Sequence, residues 1–86
     1  MTERESAPGA EVDLDGTPVE AVKAVWAAAL GLATVDADEG FFDLGASSAT
    51  VVEVVRILRR RWPRIRVVHV FAHPTVAQLV AFLEGA

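Results

Sequence analysis

The apolar positions of this chain fall into three stretches of helical period, separated by segments rich in turn-forming residues. The first opens at Thr17-Pro18-Val19-Glu20, a capping box with proline at the first helical position. Val19, Val22, Trp26, Ala29 and Leu30 then recur at helical spacing, and Gly31 supplies the stop. In the second stretch Val51, Val54, Val55, Leu58 and Trp62 share one stripe, and Pro63 ends it. Its paired valines also suit a strand. The period and the run of arginines at its end favour helix, because cations near a helix C-terminus offset the dipole. The third stretch is capped by Thr75, with Gln78 three residues on, and turns Val76, Leu79, Val80 and Leu83 inward.

The connecting segments differ in kind. Residues 1–16, MTERESAPGAEVDLDG, have no period and carry acids, Pro and Gly, so they read as a flexible leader before a single domain of residues 17–86. Residues 32–47 form a long loop containing Phe41, Phe42 and Leu44. Exposing three such side chains costs free energy, so the loop is expected to be pinned across the core. Residues 65–72, IRVVHVFA, read equally as a strand or a short helical turn. The pattern therefore predicts an all-α fold. Three main helices form a small bundle, with a long loop between the first and second and room for a fourth, short element.

Composition narrows the function classes. With 86 residues the chain makes one domain, and one this small buries only about 60–65% of its unfolded surface, too little to enclose a deep pocket as well. An apolar content of 52% with 23% charged residues is a globular mix. No apolar run approaches the roughly 18–20 residues a membrane span needs, and no basic-then-apolar leader opens the chain, so a cytoplasmic protein with no membrane partner is expected. The absence of cysteine removes disulfides, thiolate metal sites and a thiol nucleophile. Charge is uneven. Residues 1–53 hold eleven acids and two bases (−9), and residues 54–86 hold one acid and six bases (+5).

Four constellations bear on chemistry. Gly45-Ala46-Ser47-Ser48-Ala49 resembles a Gly-x-Ser-x-Gly nucleophile elbow, but that elbow needs a parallel sheet and a nearby base, and the only histidines are His69 and His73. Read from the residues alone, two serines ahead of a helix are N-caps. Asp36-Ala37-Asp38-Glu39-Gly40 starts like a calcium loop yet lacks its third acid, its position-six glycine and its closing Glu. His69 and His73 are spaced like a helical metal pair, but Pro74 interrupts the helix and no third ligand follows, so no metal site is expected. Arg56, Arg59, Arg60, Arg61, Arg64 and Arg66 could meet phosphates. In a chain of net charge −4 the run reads instead as a solvated helix end, and no nucleic-acid partner is expected.

One frame combines several of these segments. Val25-Trp26, Leu30-Gly31, Gly40-Phe41-Phe42-Asp43-Leu44-Gly45-Ala46-Ser47-Ser48, and Val70-Phe71-x-x-Pro74-Thr75-Val76 with Leu79 together resemble the carrier domains of nonribosomal peptide synthetases. The resemblance runs from about residue 18 to residue 84. The family pattern Phe-Phe-x-Leu-Gly-Gly-x-Ser ends on the modified serine, and the register from Phe42 and Gly45 puts it at Ser48 rather than Ser47. Ala46 stands for the second glycine, Ser47 for the usual His or Asp, and Ala49 for a bulky aliphatic residue; the chain around Trp62-Pro63 is one residue short of the usual link.

The resemblance implies a carrier protein, not an enzyme, with no catalytic residue of its own. It implies covalent 4′-phosphopantetheine on Ser48, holding an aminoacyl or peptidyl intermediate as a thioester in secondary-metabolite synthesis. A helix N-terminus tolerates the phosphodiester charge that Ser48 would bear. The implied partners are a phosphopantetheinyl transferase, an adenylation enzyme that loads the amino acid, and condensation or tailoring enzymes. A polyketide-type acyl carrier is the alternative, since Asp43-Leu44-Gly45-Ala46 followed by Val52-Glu53 also resembles that branch. Ala49, Val52, Arg56 and Phe71 are the expected docking residues; Val52 reads equally as a tolerated surface valine. The corresponding face of fatty-acid carriers is strongly acidic, whereas Glu53 here stands among arginines, which predicts a preference for broad-specificity transferases. From its start at Met1 and its end two residues after Glu84 a free-standing carrier is expected, with an excised module as the alternative; the carrier is also expected to be a monomer.

Overall fold

The structure is a computed structural model that describes residues 14–85. Four helices follow in order: α1 (Pro18–Leu30), α2 (Ser48–Leu58), α3 (Val67–Ala72) and α4 (Val76–Gly85). Helix α1 packs against both α2 and α4, and α3 packs on α2. The expected all-α architecture of three main helices and one short one is what forms, and the segment left open between strand and helix is α3. Residues 1–13 of the expected leader lie outside the described residues.

Helix starts follow their local chemistry. Thr17 Oγ1 accepts the Glu20 N–H at 3.1 Å, and Glu20 Oε1 accepts the Thr17 N–H at 3.2 Å, closing the capping box. Gly31 ends α1 in the left-handed region at φ 71°. Thr75 Oγ1 accepts the Gln78 N–H at 3.1 Å ahead of α4. Helix faces follow the core instead. In α1 the buried residues are Ala21, Val22, Val25 and Trp26, while Val19 is 36% exposed because it belongs to the first turn, at the margin of the core.

Helix α2 ends at Leu58, four residues before the expected Trp62. The N–H groups of Arg60 and Arg61 turn to the carbonyls of Ile57 and Leu58, three residues back, a tightening that ends the α ladder. Pro63 then disfavours helical backbone at Trp62, which is half-buried.

The long loop is pinned across the core as expected, with one exception, and backbone hydrogen bonds fasten it as well. The Phe41 N–H donates to the Pro74 carbonyl at 2.7 Å and the Ala77 N–H to the Ala37 carbonyl at 3.0 Å, tying the loop to the start of α4. Phe41 is fully buried and stacks on Trp26, with ring centroids 3.8 Å apart. Phe42, expected to be pinned with it, is instead 38% exposed. Residues 41–45 form a turn in which the Leu44 N–H donates to the Gly40 and Phe41 carbonyls and the Gly45 N–H to the Phe42 carbonyl, and this turn carries Phe41 inward and Phe42 outward.

Candidate functional site

The loop delivers the chain to α2 through Gly45, whose φ of 101° is a left-handed conformation that a side chain would strain. Ser47 follows in extended backbone (φ −105°, ψ 175°) and is the N-cap; Ser48 is the first residue of α2. This one-residue offset separates the two hydroxyls. Ser47 Oγ accepts the Thr50 N–H at 3.2 Å and lies 3.1 Å from Thr50 Oγ1, and Thr50 Oγ1 accepts the Ser47 N–H at 3.2 Å. Ser48 is exposed, and its hydroxyl makes no hydrogen bond among the described residues. The first turn of α2 carries no acid. An anion joined to Ser48 therefore meets free helix N–H groups and no carboxylate from that turn.

The four expected docking residues are all exposed. Ala49 and Arg56 are exposed on α2, and Val52, one turn from Ser48, is 52% exposed. Arg56 forms a salt bridge with Glu53. Phe71 of α3 is 48% exposed and stacks on Phe42, with ring centroids 5.1 Å apart and planes 11° from parallel. Val68 of α3 is also exposed. Phe42 and Val68 are not among the docking residues expected from sequence. The Phe-Phe pair names both residues but does not say which faces outward; that is set by the turn over residues 41–45.

The rival constellations have local roles. Asp36 Oδ1 accepts the Asp38 N–H at 2.9 Å, closing a turn in the loop. His69 and His73 both lie against the Phe82 ring, with centroids 4.4 and 4.7 Å away, and so tie α3 to α4. No strand precedes Ser48 among the described residues, so a nucleophile elbow has no sheet to stand on.

Comparison with known proteins agrees with this geometry. The family defined by a phosphopantetheine attachment site matches residues 20–83. A solved structure described as a non-ribosomal PCP domain superposes with a TM-score of 0.67 at 43% identity, covering 78% of this chain and 88% of that one. The isonitrile lipopeptide synthase of Streptomyces coeruleorubidus is 40% identical over 71 residues, 81% of this chain. One of the mycosubtilin synthase polypeptides of Bacillus subtilis is 30% identical over 82 residues, 94% of this chain. The chain spans only 5% and 3% of the lengths of those two proteins. The cofactor of the matched family is covalently attached 4′-phosphopantetheine, and a hydroxyl that is exposed, unbonded and set on a helix N-terminus fits it. On the match over residues 20–83 and the shared fold, this chain belongs to the phosphopantetheine attachment family, as a carrier domain of the nonribosomal peptide synthetase type.

Proposed function

We infer that Ser48 Oγ is the attachment atom, and that the chain carries an aminoacyl or peptidyl group between enzymes rather than transforming it. The observation that carries this reading is the division of labour between two adjacent serines. Ser47 spends its hydroxyl on the cap, and Ser48 keeps its own free at the surface. Ser48 Oγ attacks the β-phosphorus of coenzyme A; the bond to the 3′,5′-adenosine diphosphate leaving group breaks, and the hydroxyl proton leaves. No imidazole or carboxylate of the described chain hydrogen-bonds to Ser48, so the base belongs to the transferase. The bound arm supplies a terminal thiol that forms the thioester, chemistry that the cysteine-free chain lacks.

The working partners in this reading are a phosphopantetheinyl transferase, an adenylating enzyme that loads the cargo, and condensation or tailoring enzymes, all in the cytoplasm. Among the described residues no helix is long and apolar enough to cross a membrane. Docking uses the face of Ala49, Val52 and Arg56 together with the stacked pair Phe42 and Phe71. That face is apolar, and its one carboxylate, Glu53, is paired with Arg56, so the broad-specificity transferases of secondary metabolism fit it better than the fatty-acid type. Incubation with coenzyme A and each transferase in turn tests both parts. One phosphopantetheine added per chain, faster with the broad-specificity enzyme, is the expected result. No addition with either enzyme defeats the carrier reading, and faster modification by the fatty-acid type defeats the docking one. Loading assays then separate a peptidyl carrier, which accepts an amino acid, from the polyketide alternative, which accepts a malonyl or other acyl unit.

A further inference from the structure

Beyond the far end of α2, the turn after Leu58 and the C-terminal half of α4 enclose an open groove of about 430 Å³. Trp62, Ile65, Phe82 and Leu83 give it an apolar lining, with Ile65 and Leu83 buried at its base. Arg61 and Arg64 line it as well, and no carboxylate does among the described residues. The groove is already built in the unbound chain. Arg59 Nε donates to the Ile65 carbonyl at 2.9 Å, and the Ile65 N–H donates to the Trp62 carbonyl at 3.0 Å. Arg61 Nη1 donates to the Leu14 and Gly16 carbonyls at 2.7 and 2.9 Å. Two arginines thus hold the backbone on which the walls stand, so an occupant has no loop to order. Arg64 has no such task. It is exposed and makes no hydrogen bond or ion pair among the described residues.

Shape and charge together narrow the occupant. The groove is open, so it does not enclose most of a small ligand's surface, and its apolar base is recessed from the reach of a flat bilayer. The guanidinium carbon of Arg61 lies over the Trp62 ring, 4.8 Å from its centre, and covers a ring face that a nucleic-acid base would need for stacking. A protruding apolar side chain fits the base, and carboxylates beside it fit the rim, since residues 54–66 contain six arginines and no acid. We propose that this groove is a docking site for an acidic segment of a partner protein, which seats an aliphatic side chain over Ile65 and Leu83 and sets carboxylates against Arg64 and Arg61. Helix α2 places the groove about 15 Å beyond Ser48. A partner held there leaves Ser48 and Val52 open, so the carrier can stay beside one protein while another works on its arm.

The test uses the full, ¹⁵N-labelled chain without coenzyme A, so its failure is distinct from failure of the carrier reading. The probe is a short synthetic peptide of glutamates around two leucines. The expected result is a saturable shift of the amide signals of Trp62, Ile65, Phe82 and Leu83, with Thr50 and Val52 unmoved. Replacing the leucines by glycine, or the glutamates by lysine, should abolish it. Arg64→Glu, at an exposed position where the fold does not depend on the side chain, should weaken peptide binding about tenfold and leave the rest of the amide spectrum unchanged. Salt near 1 M, where the screening length falls to about 3 Å, should weaken it as well. No saturable shift, shifts centred on Thr50 and Val52, or equal binding by the lysine peptide or by the Arg64→Glu variant overturns the proposal. Tighter binding of single-stranded oligothymidylate or of anionic phospholipid vesicles than of the peptide overturns it too, and assigns the basic end to nucleic acid or to a membrane surface.

Discussion

At the scale of single residues, two hydroxyls one position apart have different duties. Ser47→Ala removes the acceptor for the Thr50 N–H and should destabilise the fold by about 1 kcal/mol in urea unfolding, while the protein still accepts the arm. Ser48→Ala removes an exposed hydroxyl without a partner and should change stability by no more than about 0.5 kcal/mol. The aromatic pair in the loop divides in the same way. Phe41→Ala empties a fully buried site stacked on Trp26 and should cost about 3–5 kcal/mol, a large part of the stability of so small a domain. Phe42→Ala should cost about 1 kcal/mol through its lost stack on Phe71, and should show its main effect as slower modification by the transferase. The Phe-Phe-x-Leu-Gly frame singles out Ser48 in the sequence as the proposed attachment residue. The division between the serines was not legible there, because it depends on Ser47 being extended and Ser48 helical, a difference of backbone angle that two identical side chains do not display.

At the scale of elements, what was legible was what is local. The starts of α1 and α4 are written in Thr17–Glu20 and Thr75–Gln78, where each cap bonds within three residues of itself. The end of α2 is set by a local turn that the apolar period does not show, and the state of residues 65–72 depends on contacts from elsewhere in the chain. Val67, Val68 and Val70 are β-branched and suit a strand by propensity, yet α3 forms because Val70 is buried in the helical core and no strand stands beside it to pair. Trp62 has the spacing of α2, but the turn at Arg60–Arg61 and Pro63 places it in the groove instead. Val19 has the spacing of the α1 stripe yet stays outside the core, because period alone does not say where the partner helices stop. Gly45 is the joint between loop and helix. Gly45→Ala meets no atom within 4 Å, so its cost is purely the backbone strain of φ 101°, about 1–3 kcal/mol in thermal or chemical unfolding.

At the scale of the whole molecule, charge lies at the surface and is unevenly spread along the chain. The core holds no polar or charged side chain among its described buried residues, so electrostatics acts at the surface, where partners meet the chain. The outer face of α2 passes from Ser48 and Val52 to the Glu53–Arg56 salt bridge and on to the arginine-rich end. Charge reversal there, Arg56→Glu, should shift relative rates toward the fatty-acid type of transferase while leaving the fold intact, since Arg56 is exposed and surface pairs contribute only about 0–1 kcal/mol. An unchanged rate ratio would show that this face does not select the enzyme. The central claim is the identity of the attachment atom, and mass spectrometry of the intact chain and its Ser47→Ala and Ser48→Ala variants, after incubation with coenzyme A and a broad-specificity transferase, tests it most directly. One phosphopantetheine is expected on the parent chain and on Ser47→Ala, and none on Ser48→Ala; an adduct that persists in Ser48→Ala would contradict the assignment.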